Sequence, residues 1–174
     1  MNWIGLLARA GLTVDGDTIT QDGDFISDSV TADLLTGKHF YKMQVTAGEN
    51  LAAGDLCCIT GWDATNLLYA VSKADSDATV KANRAAQFVA SAAISQGAQG
   101  YVVSEYTLTA QNTDSASAVG DPVYLSTTAG GWTLTSPTTA GFVIQKVGVV
   151  SVKSATVGQI RLFPWIAKSI SYVS

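Results

Sequence analysis

The sequence predicts an all-β protein: a compact antiparallel β-barrel or β-sandwich with an extended N-terminal arm. Short apolar runs rich in β-branched and aromatic residues recur from Phe40 onward, near the spacing of about 8–12 residues expected of sandwiches and barrels. Turn residues punctuate these runs, as in Gly120-Asp121-Pro122 and Ala129-Gly130-Gly131. Helical patterning is confined to residues 1–12, 29–35 and 73–90.

The first 40 residues differ in texture from the rest. Trp3, Ile4, Leu6, Leu7 and Ala10 can lie along one side of a short helix that Gly11 ends. Residues 13–20 and 21–26 read as two small strands with Asp-Gly turns, and 29–35 as a helical turn stopped by Thr36-Gly37. So few large apolar groups do not make a core by themselves. Residues 1–40 are therefore read as an arm and 41–174 as the barrel or sandwich domain.

Residues 41–46 alternate apolar and polar, the pattern of a half-buried strand. Further strands are expected at 56–60, 67–71, 88–90, 100–103, 106–109, 123–126, 132–135, 142–152 and 159–163. The polar, alanine-rich stretch 73–86 forms either an exposed loop or one short helix, and 82–94 also suits a helix on propensity. A small residue, a glycine and a polar residue precede an apolar run three times: at Ala53-Gly54-Asp55, Val119-Gly120-Asp121 and Val157-Gly158-Gln159. Glycine permits the tight reversal, and the polar side chain satisfies a free backbone group. The echo predicts similar corners in one domain.

Charged residues are 14% of the 174, against about 25% in ordinary globular chains. With a mean hydropathy of +0.23, the surface must be built largely from Ser, Thr, Ala, Gln and Gly. That suits a subunit that covers much of itself with neighbours. The net charge of −4 and the scattered Lys and Arg residues exclude a phosphate-backbone binder. No apolar run reaches 18 residues, so no membrane-spanning helix is expected. Residues 1–12 lack the basic start of a signal peptide.

Little points to chemistry. His39 is the only histidine, and neither a Gly-x-Ser-x-Gly elbow nor a phosphate-binding loop occurs. Asp15, Asp17, Asp22 and Asp24 form two Asp-Gly-Asp units that could gather oxygens around calcium, but the terminal Glu of a calcium loop is missing and hairpin turns explain them. Cys57 and Cys58 are adjacent, so in a strand they point to opposite faces and read as two small buried hydrophobes. No cofactor or metal is expected, and no enzyme activity. Trp62, Tyr69, Tyr101, Tyr106, Tyr124, Trp132, Phe142 and Trp165 read as core and subunit-interface residues. Trp3, Ile4, Leu6, Leu7 and Trp165 are the candidate contact residues, apolar groups near the chain ends that need a covering surface.

Residues 119–164 carry the succession Gly-Asp-Pro-Val-Tyr-Leu-Ser, Ala-Gly-Gly-Trp-Thr-Leu-Thr, Gly-Phe-Val-Ile-Gln-Lys-Val-Gly-Val-Val and Ile-Arg-Leu-Phe-Pro. This order resembles a module of tailed-bacteriophage structural proteins, among them head-decoration (cement) proteins and head-fibre proteins. The likeness extends over about residues 41–166. It implies a β-tulip-like barrel or sandwich, often trimeric, attached to the outer surface of a capsid after synthesis in the host cytoplasm. The implied partners are the major capsid protein and copies of the chain itself, in a homotrimer, with no nucleic acid or membrane. The implied role is to hold the shell against internal DNA pressure. The base of a head fibre or tail spike is the alternative, and a carbohydrate-binding module using Trp62 or Trp132 is another.

Overall fold

The computed structural model describes residues 12–15, 18–21, 41–80, 83, 85–164 and 170–173. The chain divides into two units, Met1–Phe40 and Tyr41–Ser174. In the first, β1 (Leu12–Asp15) and β2 (Thr18–Gln21) pair antiparallel, Leu12 opposite Gln21 and Asp15 opposite Thr18. The single strand expected over 13–20 is thus a hairpin, its first strand ending at the Asp15-Gly16 turn signal. Helical patterning expected over 1–12 stops short of Leu12, which opens β1; the other expectations for residues 1–40, including the rest of that helix, His39 and the remaining aspartates, lie outside the described residues.

The second unit is all-β. A closed barrel joins β3 (Lys42–Ala47), β4 (Leu56–Asp63), β5 (Leu68–Lys73), β6 (Phe88–Ala90) and β7 (Gln99–Val103) in the order β3-β5-β4-β6-β7. A second sheet runs β10-β9-β11-β12-β8, from β8 (Tyr106–Gln111), β9 (Pro122–Leu125), β10 (Trp132–Thr133), β11 (Val143–Val152) and β12 (Gly158–Leu162). A strand the sequence reading did not anticipate, β13 (Ile170–Tyr172), pairs with the start of β11. No α-helix occurs among the described residues. The possible helix at 82–94 gives way to strand β6 and to the bridge Leu51–Ile94. Tertiary burial of Phe88 and Val89 overrides the propensity of the alanines around them.

The two sheets are the same five-stranded arrangement twice. Opened between β3 and β5, the barrel reads β5-β4-β6-β7-β3, and the second sheet repeats that order with every strand five later. The register follows. Ala90 faces Val102 as Val150 faces Ile160, and Met43 faces Val102 as Leu108 faces Ile160. Cys57 faces Phe88 as Val123 faces Gly148.

Two of the three echoed corners are equivalent in detail. Gly54 and Gly120 take φ of 89° and 94°, a left-handed conformation that glycine adopts without strain. Asp55 Oδ2 accepts from Ala52 N at 2.8 Å, and Asp121 Oδ2 accepts from Ala118 N at 3.2 Å. Gly54 and Ala90 close the corner by Gly54 N to Ala90 O and Ala90 N to Asp55 O, both 2.9 Å. Gly120 N to Val150 O at 2.8 Å and Val150 N to Asp121 O at 2.9 Å repeat the pattern. The third echo is different: Gly158 lies inside β12, where a Cβ would press on the Gln111 carbonyl.

The copies differ in closure. Parallel pairing of β3 with β5, Val45 opposite Tyr69 and Ala47 opposite Val71, seals the barrel, a departure from the purely antiparallel expectation. The equivalent strands β8 and β10 are not paired. Instead the second sheet lays Val123, Leu125, Val147, Val150, Ile160 and Leu162 against the outside of the barrel at Leu56, Cys58, Ala74 and Val89. The barrel interior holds a separate core of Val45, Ala47, Leu51, Cys57, Val71, Phe88, Ala90, Ile94 and Val102. The wall β4–β6 is therefore buried on both faces, which is why Leu56-Cys57-Cys58 and Phe88-Val89-Ala90 are unbroken apolar runs and not alternating ones.

Candidate interaction surface

The five contact residues picked from the sequence, Trp3, Ile4, Leu6, Leu7 and Trp165, lie outside the described residues. Of the two tryptophans considered for sugar binding, Trp132 packs half-buried on the sheet core beside Leu134. Trp62 is 55% exposed. Tyr106 also leans on the core, whereas Tyr69 and Tyr101 are exposed. The aromatics thus split between core and surface.

The exposed group concentrates on the β4–β5 hairpin. Trp62 and Tyr69 are cross-strand partners whose rings meet edge to face, centroids 5.4 Å apart at 79°. Such pairs contribute about 0.5–1.5 kcal/mol beyond area burial. Leu67, at the turn, is 69% exposed and takes a φ of 56°. For a bulky non-glycine residue that conformation is strained.

Asp63 fixes the turn. Its Oδ1 accepts from Thr65 N at 3.0 Å and Asn66 N at 3.2 Å, and its Oδ2 accepts from Asn66 Nδ2 and Thr46 Oγ1, each at 2.8 Å. These donors, the Asn66 side chain foremost and Thr46 next, hold the carboxyl down to about 2. Gln99 Nε2 donates to Asn66 Oδ1 at 2.8 Å, and Gln44 Nε2 to Gln99 Oε1 at 3.0 Å. The turn is tied through side chains to both β3 and β7. Residues 61–66 fall between the strands expected at 56–60 and 67–71, and Asp63 followed by Thr65-Asn66 is the Asx-turn signal that marks this turn in the sequence.

Elsewhere the reactive groups are quiet. Cys57 and Cys58 are free and buried, one in each core, as their adjacency in a strand predicts. Burial pushes their thiols up to about 12 and about 11, so both stay protonated at neutral pH. Asp75 is raised to about 6, first by burial and then by hydrogen bonding with the Asp77 side chain. Lys73 pairs with Asp55 at 3.4 Å, and Arg161 pairs with Glu105. Among the described residues no three His, Cys, Asp or Glu side chains gather as a metal site, and no helix is long and apolar enough to cross a membrane.

No protein-family model matches the chain, and no curated protein matches it. Among solved structures, the chain is similar to the N base of the head fibre gp8.5 of bacteriophage phi29, at 15% identity and a TM-score of 0.46. The match covers 71% of this chain and 93% of that one.

Proposed function

We propose that this protein is a structural component of a tailed-phage head that binds the outside of the capsid and stabilises it. The observation that carries the reading is the 119–164 succession, which resembles a module of tailed-phage structural proteins in its sequence and folds here as the corner Ala118–Asp121 and strands β9 to β12. A charge-poor surface and the buried, protonated thiols fit a role resting on contact area and not on catalysis. The partners are the major capsid protein and further copies of the chain, in a homotrimer, with no nucleic acid or membrane. Residues 1–40, with Trp3, Ile4, Leu6 and Leu7, supply a share of the contact, and Trp165 another; burying each large apolar side chain is worth about 1.5–3 kcal/mol. Multiplied over an oligomer, modest contacts hold firmly.

The test uses phage heads assembled without this protein. Purified chain should bind them to a fixed ratio and raise the temperature at which they release DNA. Deleting residues 2–36 should weaken that binding. The same resemblance extends to head-fibre proteins; a fibre base would bind heads and leave the release temperature unchanged. Failure to bind heads overturns both.

A further inference from the structure

We propose that the outer wall of the barrel is a binding surface for residues 105–174 that works without the covalent link between them. The chain is then two partners, 1–104 and 105–174, and the wall fits the sheet of another copy as well as its own. The proposal does not rest on the virion reading.

The division is sharp along the chain. The buried residues of the barrel interior all lie between Val45 and Val102, and the ladder closes within Lys42–Val103. Every strand of the second sheet comes after Glu105. The peptide joining Ser104 to Glu105 is the crossing point, and it lies outside both ladders. Its two neighbours are tied to opposite sides. Ser104 N donates to Tyr41 O at 2.9 Å, and Ser104 Oγ accepts from Tyr41 N at 3.0 Å, which holds Ser104 to the barrel piece. Glu105 pairs with Arg161 on β12, which holds it to the sheet piece.

The contact between the pieces is built like one between partners. Strands β9 and β12 bury alternate residues, the pattern of a sheet with one covered face. Val123, Leu125, Ile160 and Leu162 from that face pack on Leu56, Cys58 and Val89 of the wall. Among the described residues no barrel strand is paired with a strand of the second sheet, so no ladder joins the two. An apolar interface resembling a domain core cut in half is what obligate partners use. The covalent link adds proximity to such a contact and nothing to its fit.

Hydrogen bonds select the occupant. Leu56 N donates to Gly130 O at 2.9 Å, and Gly130 N donates to Ala74 O at 2.8 Å. Ser76 N donates to Ser126 O, and Val143 N donates to Ser76 O, both at 2.9 Å. Leu56, Ala74 and Ser76 are fully buried on the barrel side. A generic apolar surface laid on the wall would leave these backbone groups unpaired, at a cost that residues 105–174 avoid. The ion pairs do not cross: Lys73 with Asp55 stays in the barrel piece and Arg161 with Glu105 in the sheet piece. Salt should therefore leave the affinity unchanged.

The test inserts a protease recognition sequence between Ser104 and Glu105 of the full chain and cuts the folded protein. Uncut, the variant should melt with wild type, because the insertion breaks neither ladder. After cutting, the two pieces should elute together at the intact mass, in 1 M NaCl as in dilute buffer. Ile160→Ala should weaken the pairing of the cut pieces at least tenfold, and Val157→Ser on the exposed β11–β12 turn should leave it unchanged. Two cut preparations with different labels, unfolded together in urea and refolded, should give mixed pairs in the proportion of mixing. Pieces that part on cutting, in either buffer, overturn the proposal, and so does refolding without mixed pairs. If the inserted chain melts lower than wild type, 1–104 and 105–174 are coexpressed as separate chains: copurification is expected, and its absence overturns the proposal.

Discussion

The side-chain amide of Gln145 holds the backbone of Ala86 by two reciprocal hydrogen bonds: Ala86 N donates to Oε1 and Nε2 donates to Ala86 O, both at 2.8 Å. Both residues are buried. One side chain thus does the work of a strand partner, joining the segment before β6 to β11 where no strand pairing reaches. Replacing Gln145 with Leu leaves a buried N–H and a buried carbonyl unpaired, and should cost roughly 2–5 kcal/mol in denaturant unfolding.

Gln145→Glu gives the same site a pH dependence. A neutral carboxylic acid can both donate to Ala86 O and accept from Ala86 N, whereas a carboxylate faces the carbonyl with like partial charge. The folded-state pKa of the new Glu therefore rises above its unfolded value of about 4.3. Stability should be greatest below pH ~4 and fall as pH rises through the folded pKa. A variant equally stable at pH 4 and pH 7 would count against this geometry.

The two equivalent glycines should respond unequally to Ala. Gly120 has open space where a Cβ would stand, so only its left-handed φ is penalised, at about 1–2 kcal/mol. Gly54 carries the same φ penalty, and its added methyl would also press on Leu108 Cδ2, which packs on the sheet core. Gly54→Ala should cost about 1 kcal/mol more than Gly120→Ala by thermal unfolding.

Asp75 sets a pH window. Its folded carboxyl is raised to about 6 from an ordinary 3.8, so between those values the unfolded chain gives up its proton first. Stability should fall as pH rises from about 4 to 6 and be unaffected by this group below that. Asp75→Asn should flatten the fall and be more stable at pH 7 by about 1 kcal/mol, a modest figure because the carboxyl keeps some contact with water. Asp63 acts the other way: held near 2, its contribution is present above pH 3.8 and lost as pH falls toward 2.

The thiols report on integrity. Cys57 and Cys58 lie in different cores, both buried and protonated. An aromatic disulfide reagent should label neither in the native protein at pH 8 and both at one rate on unfolding. Early labelling of Cys58 alone would mean that the sheet lifts off the barrel without the barrel opening.

Much of the strand pattern is legible in the sequence. The run at 88–90 coincides with β6, and the alternation at 41–46 lies within one residue of β3, because burial on a fixed face imposes its period on the residues. Topology is less legible. The parallel closure of β3 on β5 depends on contacts that no hairpin spacing encodes. The likeness of the two sheets is visible in the sequence only at the Gly54 and Gly120 corners, where geometry limits the residue choice; along the strands any apolar residue of suitable volume serves, so Cys57 can stand where Val123 stands. The β4–β5 tip escaped because exposure of Trp62 and Leu67 is settled by the absence of neighbours, which local sequence does not record.

The wall formed by β4 and β6 also imposes an order of assembly. Its inner side chains complete the barrel, and its outer ones are the floor on which β9, β11 and β12 come to rest. Synthesis proceeds from the N-terminus, so the barrel strands emerge first and the later strands arrive at a surface already shaped to receive them. The second sheet therefore needs no interior of its own, and it has the barrel's strand order without the closure. One sheet acts as mould and the other as cast, a division of labour between two halves that share one strand order.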